Sequence, residues 1–458
     1  MKVAIIDSGV RKDLLPNALV VDDLIVDHSG LIYPRSKDIA IVTSHGTTCA
    51  QIISTYTNNI EFCSLQIFQD NTERATYTQL LSALQWCLEH QIPVIHMSIG
   101  TTNLRDVAGL RKIIARMLGN GQILVSAYSN TSPVSFPAQF SGVFGVSAAP
   151  HLIDDQYTTD PIRRDTNFLA SSRHNVLHSK HNTPIANSFA ASTITSAVCR
   201  VLGNMKSPIN SNTVFHALTG LIPKLLKPDF VEDAIIVNPP QFLSNEQHFF
   251  FTLTKCVRSL SELSSDEIYS HSIVYFPDES ANYNIGNFEI SFQRLLYCGN
   301  ANTKLIQKEA GCLMWSESSF HLIPNLTDSY TECFSIFIEA VEGSCIYAMC
   351  ALRDIFMHNG YQCLSISDEP YSYLYGIEYL RNIDNPQYIQ GFFSSEFNPD
   401  VIILGSSKNL HKRSDNAFFV TIGHSKHNSD YVLPDPPKNT DIFKLYNYIV
   451  KNLHVNIS

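Results

Sequence analysis

The chain has 458 residues, is 44% hydrophobic and 16% charged, and carries a formal net charge of −10. That apolar content suffices for two or three domains with sizeable cores, and the acidic balance leaves no footprint for nucleic acid or an anionic membrane surface. No uninterrupted apolar run approaches the roughly 18 residues of a membrane span, so neither nucleic acid nor membrane is expected as a partner.

The N-terminus, MKVAIIDSGV, enters an apolar strand directly. Its apolar stretch, Val3 to Ile6, is too short for a signal-peptide core, and no small-residue cleavage site follows. From residue 1 to about 205, short apolar strands alternate with helical patterns. The strands are VAIIDSG, FCSLQIF, IPVIHMSIG, QILVSAYS and GVFGVSAA; the helices are HGTTCAQIISTYT, TYTQLLSALQWCLEH, LRDVAGLRKIIARMLGNG and NSFAASTITSAVCRVLG. Strands that read as continuous apolar runs between helices imply an α/β fold, a parallel sheet covered by helices on both faces. Ligands of such sheets sit beyond the carboxyl ends of the strands, and the polar residues Asp7, Ser98 and Asn130 fall at those ends.

From about 206 the composition changes. MKSPINSN and PKLLKPDFVEDAIIVNPPQFLSNEQ carry prolines and turn residues, consistent with a last helix and a linker. Residues 248 to 325 hold the strand-like runs HFFFTLTKCV, HSIVYF, FEISFQRLLY, GCLMWS and FHLIP, a β-rich segment. From 333, FSIFIEAV, QCLSISD, DVIILGS and AFFVTIG read as strands. CIYAMCALRDIFMHNG, YLYGIEYLRNI and DIFKLYNYIVKNL read as helices, which makes a smaller α/β C-terminal unit. The expected domains are therefore 1–235, 236–330 and 331–458. Within the last, EGSCIYAMC (342–350) faintly resembles a phosphate loop, but it lacks the lysine of GxxxxGK[ST], so Ser344 reads as a plain helix cap.

The eleven cysteines are scattered singly without a CxxC pair, and most lie in apolar contexts. Reduced, buried thiols in a cytoplasmic protein are expected. The 17 histidines form neither an HExxH motif nor a Cys/His quartet, so no metal and no cofactor is expected.

Four residues in order carry the chemistry of an activated serine: Asp7 in IIDSG, His45 in SHGTTCA, Asn130 in LVSAYSN and Ser188 in NSFAAS. A serine nucleophile needs a base, the base needs a carboxylate to fix its tautomer, and the oxyanion needs a donor. Taken alone, Ser188 reads more readily as a helix N-cap, Asp7 as a turn residue, His45 as a cap and Asn130 as a loop residue. Considered together, DSG (7–9), HGTT (45–48), HMSIG (96–100), YSN (128–130), SFPA (135–138) and ANSFAA (186–191) resemble the motifs of the subtilases, the subtilisin-like serine proteases. The order Asp, His, Ser is theirs too. The resemblance covers roughly residues 1–205.

What the resemblance implies is a serine endopeptidase. Ser188 would be the nucleophile, His45 the general base and then acid, and Asp7 the orienting carboxylate. Asn130 and the Ser188 backbone amide would be the oxyanion donors. Ser98, Ile99 and Gly100 would form an edge for an extended substrate, with Ser98 and Gly100 flanking the pocket for the side chain before the scissile bond. The departures concern specificity. Thr48 replaces the second histidine of His-Gly-Thr-His, His96 replaces an asparagine, and Ala186-Asn187 replaces Gly-Thr. Ser129, preceded by bulky Tyr128, replaces a pocket-lining glycine, and the second substrate-edge strand, within DNTERATYTQ, has no glycine. Tyr128 and Ser129 would narrow the primary pocket. His96 reads either as a core histidine bonded to the backbone or as a substrate-facing group, with the core favoured, and Cys49 is expected as a packed thiol. The altered pocket, the absence of a propeptide ahead of Asp7 and the long C-terminal half suggest a cytoplasmic protease of restricted specificity. It would remove a leader from a ribosomally made precursor peptide, with peptide-modifying enzymes as partners. The alternative is a non-catalytic peptide-binding scaffold that retains the fold.

Overall fold

The computed structural model describes residues 1–458 apart from 17, 37–40, 42–43, 69–73, 133, 177–181, 207, 242, 244–247, 278–291, 300–310, 318–332, 342, 381–382, 384–385, 407–416, 424–428 and 457–458. The chain divides into two units: Met1–Thr102, Ala108–Pro239 and Thr254–Ser319 make up the first, and Asn103–Val107, Pro240–Leu253 and Phe320–Ser458 the second.

The first unit is built on strands β1 (Lys2–Asp7), β2 (Leu19–Val26), β3 (Ile32–Pro34), β4 (Glu61–Gln66), β5 (Val94–Met97), β6 (Ile123–Ala127), β7 (Phe144–Ala148), β8 (Tyr157–Thr159) and β9 (Phe168–Ala170). They form one sheet in the order β3-β2-β4-β1-β5-β6-β7-β9-β8. The seven strands from β2 to β9 in that order are mutually parallel, and the antiparallel β3 and β8 close its two edges. Val3, Ala4, Ile5 and Ile6 of β1 are all fully buried. Successive side chains point to opposite faces, so both faces are covered, as continuous apolar strands require.

Helices α1 (His45–Tyr56), α2 (Tyr77–Glu89), α3 (Val107–Gly119), α4 (Asn187–Leu202) and α5 (Ser211–Thr219) complete this part. Val3, Ile5, Val94, Val125 and Phe144 of the sheet meet Ala190, Ala191, Ile194 and Val198 of α4 in one core. α4 is buried nearly all round, and its small residues let its axis lie close to the sheet. Because β1, β5 and β6 are parallel, their carboxyl ends share one rim: Ile6 pairs with Met97, and Met97 with Ser126. Asp7, Ser98 and Tyr128 follow at that rim.

A second sheet in the same unit contains β10 (Asp233–Val237), β11 (Thr252–Val257), β12 (Ser272–Tyr275), β13 (Arg294–Tyr297) and β14 (Leu313–Ser316), in the order β11-β10-β12-β13-β14, with one short helix, α6 (Ser265–Ser270). It joins the first through Trp315 Nε1, which donates to the Leu226 carbonyl at 3.0 Å, and the Arg116–Glu232 ion pair at 2.5 Å. The expected strand FHLIP (320–324) lies outside the described residues.

The second unit is a parallel sheet of β15 (Phe334–Ala340), β16 (Cys363–Ser367), β17 (Glu378–Tyr379), β18 (Val401–Ser406), β19 (Ala417–Ile422) and β20 (Tyr431–Leu433), in the order β17-β16-β18-β15-β19-β20. Its helices are α7 (Ile346–His358), α8 (Pro386–Phe397) and α9 (Asn439–Asn456). The helix expected over 373–383 is not there. A short 3₁₀ turn, Ser372–Tyr375, gives way to β17, because Tyr371 and Gly376 on either side of it adopt left-handed φ values of 65° and 67° that no helix continues through. α8 was not foreseen, although Pro386 at its first position is a helix-start signal. At the start of α7 the Ser344 hydroxyl accepts from the Ile346 amide at 3.1 Å, while the Glu369 carboxylate takes the Cys345 amide at 2.7 Å. The chain thus supplies its own anion to that helix end.

No described helix is long and apolar enough to cross a membrane. None of the eleven cysteines is joined in a disulfide, and only Cys256 is exposed. Ile194 of α4 is fully buried in the core shared with the sheet: Ile194→Ala should cost about 2–5 kcal/mol of folding stability, read as a lower urea midpoint at unchanged slope.

Candidate active site

The rim of the first sheet gathers Asp7, His45 and Ser188 from three separate elements. Asp7 ends β1, His45 opens α1, and Ser188 is the second residue of α4. The start of α1 reaches the end of β1 only because residue 46 has no side chain. A Cβ on Gly46 would lie 2.7 Å from the Gly9 carbonyl oxygen and 3.0 Å from Asp7 Cβ. Gly9 itself turns the chain away from β1 at a φ of +93°.

His45 Nδ1 lies 2.8 Å from Asp7 Oδ2, and His45 Nε2 lies 3.0 Å from Ser188 Oγ. Asp7 is fully buried. Its other partners are the Ser8 amide, which donates to Oδ1 at 2.6 Å, and the Ser98 hydroxyl, which donates to Oδ2. Burial pushes the Asp7 carboxyl up, but the charge of His45 and the hydrogen bonds from His45, Ser98 and Ser8 outweigh it, so Asp7 sits below its ordinary value. An ionised Asp7 requires Nδ1 of His45 to carry the proton and leaves Nε2 to accept from Ser188. The His45 ring also packs on Phe189, with centroids 5.2 Å apart.

Ser188 is not the helix cap. Ala186 occupies the cap position and makes no side-chain cap bond, so the hydroxyl turns to the imidazole instead. Asn187 fastens the neighbouring turn. Its Nδ2 donates to the carbonyls of Tyr128 and Ser129, each at 3.1 Å, its Oδ1 accepts from the Ala148 amide at 2.8 Å, and its backbone amide donates to Asn130 Oδ1 at 3.1 Å. With Oδ1 so engaged, Asn130 presents Nδ2, the donor end of its side chain, elsewhere.

A cavity of about 280 Å³ joins these groups; Asp7, His45, Ser98, Gly100, Tyr128, Ser129, Asn130 and Ser188 all line it. Ile99 does not. Phe68, Thr102, Ala127 and Ser135 also line it and were not singled out from sequence. Of these, Ser135, one residue ahead of Phe136-Pro137, carried the readable signal, a polar residue within SFPA. The edge expected within DNTERATYTQ lies outside the described residues at 70–73.

His96 is buried, but its partner is a side chain rather than the backbone. Its Nδ1 lies 2.9 Å from Thr195 Oγ1, which in turn donates to the Ala191 carbonyl. Burial pushes its pKa down to about 4. Cys49 is fully buried, which pushes its thiol up. Its sulfur and ligand atoms of Asp7 and His45 lie within 4.8 Å of one another. The carboxylate and imidazole are engaged with each other and with Ser188, and the thiol is held protonated, so this donor set suits a hydrogen-bond relay better than a metal ion.

Such a fold and rim define a class: α/β chains in which a carboxylate, an imidazole and a serine hydroxyl meet beyond a parallel sheet. Residues 1–229 match the model of the subtilase family, and the chain belongs to that family. It is 30% identical over 162 residues to the minor extracellular protease Epr of Bacillus subtilis (strain 168), a match covering 32% of this chain and 23% of that one. It is 25% identical over 163 residues to subtilisin E of the same strain, covering 32% of this chain and 40% of subtilisin E. The chain thus spans less than half the length of either relative. Among solved structures, the prenylagaramide maturation protease PagA aligns over 47% of this chain and 80% of its own, at 15% identity and a TM-score of 0.36.

Two outcomes follow for the site. Asp7→Asn, which disfavours the required His45 tautomer, should lower turnover about 10⁴-fold at unchanged fold, read by steady-state kinetics beside circular dichroism. His96 has its folded pKa lowered from 6.5 to about 4, so its neutral form contributes stability above pH 6.5 that is lost as the pH falls toward 4. His96→Asn should therefore lose less stability than the parent across that window, by up to about 3 kcal/mol in urea titrations at stepped pH.

Proposed function

We propose that the chain is a serine endopeptidase that cleaves peptide bonds through an acyl-enzyme. The observation that carries this is the single imidazole of His45, 2.8 Å from a buried carboxylate and 3.0 Å from the Ser188 hydroxyl. In this reading His45 takes the proton of Ser188 as the oxygen attacks the scissile carbonyl, then returns it to the leaving amine. Asp7 holds the imidazole and stabilises its cation. The developing oxyanion is met by Asn130 Nδ2 and the Ser188 backbone amide in the first turn of α4, where the helix dipole favours negative charge.

The finer reading is a protease of restricted specificity that removes a leader segment from a ribosomally made precursor peptide in the cytoplasm. What supports restriction is the pocket. Tyr128 is 3% exposed, its hydroxyl donates to Asn167 Oδ1 at 3.0 Å, and the Arg163 guanidinium lies 4.3 Å from its ring centroid. A ring held from both sides is a fixed wall. Eleven cysteines outside any disulfide suit a reducing compartment. The appended residues beyond 229 select or hold the substrate, and peptide-modifying enzymes are their partners.

Reaction with a fluorophosphonate, followed by peptide mass mapping, tests the core of this proposal. Labelling at Ser188 that Ser188→Ala abolishes is the expected result. A folded, unlabelled and inactive protein would establish the peptide-binding scaffold instead. Ser188→Ala should reduce peptide hydrolysis about 10⁶-fold, and Asn130→Ala about 10²- to 10³-fold in kcat, the magnitude of one oxyanion donor in subtilisin. Precursor peptides cut once, with casein left intact, would support leader removal; brisk casein digestion would point to general turnover.

A further inference from the structure

The cavity beside Ser188 holds one polar group that the relay does not use. Ser135 is 1% exposed and lines the cavity. Its Oγ accepts from the Ser129 amide at 2.9 Å. The hydroxyl's own proton has no acceptor among the described residues, and a buried donor left in that state costs free energy until something accepts from it.

The neighbouring positions determine what can do so. The segment carrying Ser135 is pinned against the one carrying Gly100. Thr101 and Phe136 exchange both backbone hydrogen bonds at 2.8 Å, and a Cβ on Gly100 would lie 2.8 Å from the Phe136 carbonyl oxygen. The wall therefore cannot retreat to admit a bulky group. Tyr128, on another side, has its hydroxyl directed to Asn167 and offers the cavity only its ring. Ser98, whose proton goes to Asp7, presents lone pairs to the same cavity.

Among the described residues, the only ionisable groups lining the cavity are Asp7 and His45, besides the tied-back phenol of Tyr128, and those two are paired with each other. A lysine or arginine side chain would find no free carboxylate among these described residues. A substrate carboxylate would find no free cation and would face the charge of Asp7. Either would be desolvated without compensation. A leucine or phenylalanine would leave the Ser135 proton unmet. An amide side chain is neutral, brings a carbonyl oxygen for Ser135 and brings an N–H for the lone pairs.

Resting on the endopeptidase reading, we propose that the primary pocket selects glutamine or asparagine before the scissile bond, with the Ser135 hydroxyl donating to the side-chain carbonyl. Sites built to hydrogen-bond a substrate group discriminate strongly against analogues lacking it.

The test uses the full chain and a proteome-derived peptide library, with cleavage sites read by mass spectrometry and Ser188 labelling by a fluorophosphonate followed in the same samples. Cleavage concentrated after Gln and Asn is expected. In matched peptides, Ser135→Ala should reduce the kcat/KM ratio of Gln over Leu about tenfold, and Ser135→Thr, which keeps the hydroxyl, should restore it. Labelled enzyme that cuts chiefly after Leu, Phe, Lys or Arg, or cuts after no amide residue, overturns the assignment while leaving the protease intact. A selectivity ratio that Ser135→Ala does not change also overturns it. A folded protein that neither labels nor cleaves overturns the endopeptidase reading and this proposal together.

Discussion

Everything at the rim is organised around one buried negative charge. A carboxylate with no exposure to water persists only if donors replace its hydration, and Asp7 receives three: the Ser8 amide, the Ser98 hydroxyl and the His45 imidazole. Each comes from a different part of the chain: the turn after β1, the end of β5 and the start of α1. Satisfying the charge therefore fixes those elements relative to one another. The hydrogen bond that stabilises Asp7 is the same one that orients His45 toward Ser188, so stability and geometry at this site share a cause.

The side of the site that faces a substrate is organised by an amide rather than a charge. Asn187 stands where the resemblance to the family puts a threonine, and it joins α4 to the turn at 128–130 by three hydrogen bonds, one from its backbone N–H and two from Nδ2. This turn has lost the flexibility a glycine would give at 129, and Tyr128 within it is held by Asn167 and Arg163. A residue that sequence comparison marks as a departure thus serves as a brace, and the rigid turn it braces is what narrows the pocket.

How legible this was differs by residue. Asp7, His45, Asn130 and Ser188 could be located because the motifs that carry them, taken in order, resemble those of the subtilases, and the parallel alternation of strand and helix places such motifs at one rim. The second role of Ser98 was not legible: a serine after a strand gives no sign that its proton will go to a carboxylate 91 residues away. In the second unit the pattern YLYGIEYLRNI has helical spacing, but spacing does not report backbone handedness. The left-handed residues at 371 and 376 end the helix before it can form. His96 was expected in the core on a backbone partner, but its partner Thr195 lies 99 positions on and only the packing of α4 brings it near.

The composition of α4 explains why the relay closes at all. The helix is rich in Ser, Thr and Ala, which look ill-suited to a core. Its hydroxyls, however, are absorbed locally: Ser192 donates to the Ser188 carbonyl, Thr195 to that of Ala191, Ser196 to that of Thr193, and Thr193 to that of Ser171. Polar groups satisfied in this way add little bulk and no unpaired donors, so the helix axis can approach the sheet as closely as alanine allows. Larger apolar residues would bury more surface, but they would hold α4 farther out and Ser188 with it. A hydrogen bond to His45 Nε2 tolerates only a few tenths of an ångström of such displacement. The small-residue helix therefore gives up some hydrophobic burial, and what it secures is the position of one oxygen atom, 3.0 Å from the imidazole.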